Sequence, residues 1–151
     1  MDYLIRYATN ADAPEISRTI VNTLRQSNAQ DYSSEIIDQV AQNFSPVAIL
    51  CLLTERQVLV ATANSHIVAT ASLDQNVVRS VFVDPSHQGK GIGRLLIERL
   101  QTMAKNAGLN LILVSSSITA EGFYVSLGFK KIRDEFHGSE RTIIMAKTVG
   151  L

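Results

Sequence analysis

The amino-acid sequence predicts a mixed α/β domain of the α+β type, a single unit over residues 1–151, with about seven strands in a mostly antiparallel sheet. Three observations carry this. Three short β-rich runs follow one another from Gln57 as a meander, two more runs close the chain as a hairpin, and between them a glycine-rich turn opens the clearest helix of the chain.

In order, Tyr3 to Ala8 alternate as a strand does, and Asp12, Pro14 and Glu15 read as a capping box with proline in the first turn. The helix they start keeps Ala13, Ile16, Ile20, Val21 and Leu24 on one face and ends in the polar segment RQSNAQDYSS. Ser33 or Ser34 caps a second short helix carrying Ile36, Ile37 and Val40. Ser45-Pro46 starts a third, PVAILCLLTER, although its β-branched content leaves a strand open.

The meander is QVLVATA, HIVATASL and NVVRSVFV. After the glycines, Ile92, Leu95, Leu96, Leu100, Met103, Ala104 and Ala107 recur at helical spacing, and Gly108 sits where a left-handed cap belongs. A strand LNLILV, a helix ITAEGFYVSL stopped by Gly128, and the runs FKKIRDEF and RTIIMAKTV, joined around Gly138 and Ser139, complete the pattern.

Hydrophobic residues make up 46% of the 151 and charged residues 19%, the make-up of a globular protein with one sizeable core. Fourteen basic residues balance fourteen acidic ones, so no charge excess is available to hold a nucleic acid or an anionic membrane, and any anion site must be local. One cysteine cannot form an internal disulfide, and the VAILCLL around Cys51 reads as buried core in a reducing compartment. The first residues carry no basic head followed by a long apolar stretch, and the longest apolar run, Val47 to Leu53, is short of the roughly 20 residues a bilayer takes. A soluble, cytoplasmic protein is expected.

Three of the eight glycines fall at positions 89, 91 and 93, directly after the strand VFV and before the long helix. A strand, a glycine turn and a helix start together present free backbone N–H groups and the positive end of a helix dipole, to which Lys90 and Arg94 add charge. That combination suits a pyrophosphate. The Walker pattern is not spelled here, and the dinucleotide pattern would require glycine where Arg94 stands and an acidic residue about 20 positions later.

Gln88-Gly89-Lys90-Gly91-Ile92-Gly93 resembles the Gln/Arg-x-x-Gly-x-Gly/Ala signature of the GNAT superfamily of N-acetyltransferases, and TAEGFYVSLGF, about thirty residues on, resembles that family's A-x-x-F-Y-x-x-x-G-F segment. The resemblance implies helices on both faces of the sheet and a V-shaped splay between strands four and five. It implies that acetyl-coenzyme A lies in that splay. Its pantetheine arm would pair with Val81, Phe82 and Val83, and its pyrophosphate would take the N–H groups of Gln88, Gly89, Lys90, Gly91, Ile92, Gly93 and Arg94.

By the same resemblance Tyr124 is the general acid that protonates the leaving thiolate, which a phenol of pKa near 10 can do at neutral pH. Phe123 packs on the cofactor or in the core. Ser117 stands where the family often has asparagine and offers a shorter hydrogen bond to the cofactor. The fourth strand has no carboxylate to serve as base, which leaves water, or His66 and His87, each in a turn where a solvated histidine is the ordinary reading.

The expected reaction is direct acetyl transfer to a primary amine of a small molecule or peptide, with no metal, the other reading being a catalytically silent coenzyme A-binding module. A homodimer is compatible with either. Arg25, Tyr32 and Arg79 are the acceptor-site candidates, with Asp31 beside them, Arg79 meeting an acidic group or solvent. The acceptor itself has no motif.

Overall fold

The structure, a computed structural model, describes residues 2–150. One seven-stranded sheet runs in the order β1-β2-β3-β4-β5-β7-β6. The strands are β1 (Leu4–Tyr7), β2 (Gln57–Ala63), β3 (His66–Asp74), β4 (Val77–Val83), β5 (Leu111–Ser117), β6 (Lys130–His137) and β7 (Glu140–Thr148), and the helices α1 (Ala13–Gln26), α2 (Ser34–Gln42), α3 (Pro46–Glu55), α4 (Ile92–Asn106) and α5 (Glu121–Ser126). Every neighbouring pair is antiparallel except β4 with β5.

Helices cover both faces. On one, Ile92, Leu96, Ile97, Leu100 and Ala104 of α4 join Leu59, Ala71, Val78, Ile112 and Met145 of the strands in the larger core. On the other, Ile16, Ile20 and Leu24 of α1 pack with Ile37, Ile49, Val60 and Ile67. Each fully buried leucine or isoleucine contributes about 1.5–3 kcal/mol relative to exposure, so the α4 seam alone anchors the helix whose first turn builds the site. Leu95 lies off that seam, 47% exposed.

Both serine caps form. Ile36 N–H donates to Ser33 Oγ at 3.3 Å and Ala48 N–H to Ser45 Oγ at 3.2 Å, so Ser33, not Ser34, starts α2 and Ser45-Pro46 starts α3 as a helix. Two expectations are corrected. Asp12 does not cap forward into α1; its carboxylate reaches back to accept from Thr9 N–H at 2.7 Å and from the Arg6 guanidinium at 2.7 and 3.1 Å. Cys51 is exposed, because α3 buries only Ile49 fully and turns Val47, Leu50 and Cys51 outward.

Candidate active site

The site follows from one short pairing. β4 and β5 are joined only at Val77–Leu113 and Val78–Val114 and part beyond. Arg79 opposes Ser72 of β3, but the next paired position is Phe82 with Thr70, so Ser80 and Val81 share one place opposite Ala71 and Ser80 takes a φ of 55°. An extra residue of this kind bends its strand, here at the point where β4 leaves β5. Asp84 N–H donates to Val68 O at 2.8 Å, so by strand alternation the peptide groups of Val83 and Val81 face the parted side.

Into that gap opens a cleft of about 420 Å³ lined by Val81, Phe82, Val83, Gln88, Gly89, Gly91, Ile92, Gly93, Arg94, Ser117, Phe123 and Tyr124. Lys90 belongs to the same turn but is exposed and does not line the cleft. Gly89 and Gly91 take φ values of 76° and 83°, which other residues adopt only under strain. Among the described residues nothing accepts from the N–H groups of Gly89 to Arg94, and the first bond of α4 is Leu95 N–H to Gly91 O. The turn is pinned from beneath, since Gln88 Nε2 donates to Val83 O at 2.9 Å and to Ser27 Oγ at 3.1 Å.

A second cavity of about 400 Å³ meets the first, and Asn28, Val81, Phe82, Ser117, Ala120 and Tyr124 line both. Tyr124 is 3% exposed, held by edge contacts with Phe123 and Phe129, and lines both cavities. Burial pushes its phenol well above the ordinary tyrosine value. It stays a proton donor throughout the neutral range. Asn28, 6% exposed at the foot of α1, lines both cavities where they meet.

Of the acceptor candidates, Tyr32 and Arg79 line the second cavity. Tyr32 Oη accepts from Ile118 N–H at 2.7 Å and donates to Arg141 O at 2.7 Å, so its hydroxyl is a strut between β7 and the loop before α5. Arg25 lines neither cavity: it pairs with Asp38 at 2.8 Å on the surface, the α1 face that carries it pointing away from the cleft. Asp31 lines neither cavity but accepts at 2.8 Å from Oγ1 of Thr119, a residue of the first cleft, and Ser117 Oγ accepts from Ala120 N–H at 3.1 Å. His87 lines the first cleft near Tyr3, whereas His66 lies exposed beside Glu15.

Sequence reasoning missed Asn28, Arg56 and Glu140. Arg56 ends α3 and donates to Ser80 Oγ at 3.1 Å and Ser72 Oγ at 3.4 Å; burial, then the nearby charge of Arg79, lowers its pKa. Glu140 opens β7 in the same cavity, and burial raises its carboxyl pKa while His137 opposes the shift. Among the described residues no cluster of three His, Cys, Asp or Glu side chains is arranged for a metal.

A family model described as an acetyltransferase (GNAT) domain matches residues 20–146. The L-amino acid N-acyltransferase MnaT of Escherichia coli is 30% identical over 137 residues, 83% of this chain and 78% of that one. Across several curated relatives the matched stretch ranges from 31% to 78% of their length. In fold, the chain superposes on a GCN5-related N-acetyltransferase from Rhodopseudomonas palustris with a TM-score of 0.92 at 23% identity, covering 99% of this chain and 97% of that one. It superposes on the PaiA N-acetyltransferase of Thermoplasma acidophilum, solved in complex with coenzyme A, with a TM-score of 0.83 at 20% identity over 98% and 99% of the two chains. With the parted β4–β5 pair, the glycine turn and a family match over most of its length, this chain belongs to the GNAT family of acetyltransferases.

Proposed function

We propose that this acetyltransferase joins acetyl-coenzyme A and a primary amine in a ternary complex, the thioester entering by the 420 Å³ cleft and the amine by the 400 Å³ cavity. The observation that carries the reading is that the two cavities meet on the same few residues and that Tyr124 is one of them. The free N–H groups from Gly89 to Arg94, at the positive end of α4, hold the pyrophosphate. The peptide group of Val81 and the N–H of Val83, whose carbonyl is already held by Gln88, pair with the pantetheine arm.

Val81 N–H is placed to draw charge from the thioester carbonyl while the amine nitrogen attacks it. As the new C–N bond forms and the C–S bond breaks, Tyr124 Oη gives its proton to the departing sulfur. An acceptor arriving as an ammonium loses two protons: Glu140 passes one to solvent, and the other restores Tyr124. Glu140 suits this role because its raised pKa makes it a stronger base than an ordinary carboxylate. Holding both reactants at the junction supplies much of the acceleration.

The test is thiol release from acetyl-coenzyme A with a panel of amines, alongside thermal stabilisation by coenzyme A. A ligand at 100 times its Kd stabilises by about 2.7 kcal/mol. Stabilisation without thiol release on any amine would favour a silent coenzyme A-binding module. No stabilisation would overturn the cleft assignment.

A further inference from the structure

The acceptor cavity is charged unevenly. At the end where β4 and β5 are still paired, Arg56 and Arg79 face one space together with the hydroxyls of Ser80 and Ser115. Arg79 pairs through Nε with Asp74 at 3.4 Å, but Asp74 lies outside the cavity and no described residue takes the Arg79 Nη donors. Among the described residues Arg56 donates to two serine hydroxyls and has no carboxylate in contact. The charge of Arg79 bears on Arg56, opposed in part by Asp74 and Glu55 from outside the cavity, and an anion seated between the two guanidiniums offsets what repulsion is left while accepting from their planar donor forks.

The remaining walls supply the rest of a ligand. Ile36, Ile37, Val40, Phe44 and Leu52 form an apolar side, and among the described residues Glu140 is the one carboxylate that lines the cavity. We propose that Arg56 and Arg79 bind the carboxylate of the acceptor, so that the amine acetylated is that of a free amino acid or similarly small amino carboxylate with an apolar side chain. This assignment rests on the two-cavity reading above. It disfavours polyamines, whose charges would lie against two fixed cations.

Matched pairs that differ only in the carboxylate test it: L-leucine against 3-methylbutylamine, and L-phenylalanine against 2-phenylethylamine, each with the full chain and saturating acetyl-coenzyme A. The amino acid is expected to lead in kcat/KM by roughly 10- to 100-fold or more, mostly through KM. In Arg56→Gln and in Arg79→Gln that ratio is expected to fall about tenfold or more, with Arg56→Lys keeping part of it. Amines preferred over their amino acids, or a ratio untouched in both Gln variants, would overturn the proposal. Calorimetric binding of N-acetyl-L-leucine keeps this separate from the chemistry: binding that weakens in Arg56→Gln upholds the carboxylate site even where no turnover is seen, and its absence in the unsubstituted chain counts against the site.

Discussion

Phe123 fills the space that a side chain on residue 93 would need: a β-carbon on Gly93 would lie 3.0 Å from Phe123 Cζ and 3.6 Å from Val83 Cγ2. The first turn of α4 thus presses against the aromatic wall of the cofactor cleft and against β4, and the glycine serves packing as much as ligand approach. Gly93→Ala is expected to push the ring into the cleft, weakening coenzyme A binding about tenfold and costing about 1 kcal/mol of stability. Phe123→Leu in that background should restore part of both. Coenzyme A titrations and thermal midpoints of the two single variants and the double variant measure the coupling.

Tyr32 is expected to behave as a strut. Tyr32→Phe removes the partner of Ile118 N–H and of Arg141 O together, two half-buried backbone groups, and should cost roughly 1–3 kcal/mol in urea unfolding. An unchanged urea midpoint would show that the loop before α5 is held by something else.

Acid stability has a local source in Asp12. The hydrogen bond from Arg6 chiefly, with Thr9 N–H, lowers its pKa from 3.8 to about 2. A carboxyl whose folded pKa is depressed contributes stability that is present above the unfolded value and lost as pH falls through the folded one. Allowing for the half-exposed Arg6, the contribution is about 1–2 kcal/mol. Asp12→Asn should therefore lower the thermal midpoint at pH 6, and the gap to the unsubstituted chain should close between about pH 4 and pH 2.

What the sequence made legible was local. The turn at Gly89, Gly91 and Gly93 and the helix carrying Phe123 and Tyr124 are each contiguous, and the β4–β5 splay was expected from the family resemblance those stretches carry. Arg56 and Glu140 stand 84 positions apart, at the end of α3 and the start of β7, and are joined only by the folded sheet. Asn28 reads as one more polar residue after α1 until the cleft is seen. Cys51 misled because an apolar run usually signals burial, whereas α3 lies at the surface with only one residue fully enclosed. Arg25 and Tyr32 share one polar segment in the sequence but face different ways, which helical phase and a long-range hydrogen bond decide.

Tyr124→Phe tests the central claim most directly, with kcat and coenzyme A Kd measured side by side. The ring remains between Phe123 and Phe129 while the proton is removed, so kcat should fall roughly 10²-fold or more with Kd nearly constant. Because burial keeps the phenol protonated beyond the ordinary range, the unsubstituted chain should show no loss of kcat from this group up to about pH 10. A Tyr124→Phe variant that turns over as fast as the unsubstituted chain would contradict the account and leave Tyr124 a packing residue.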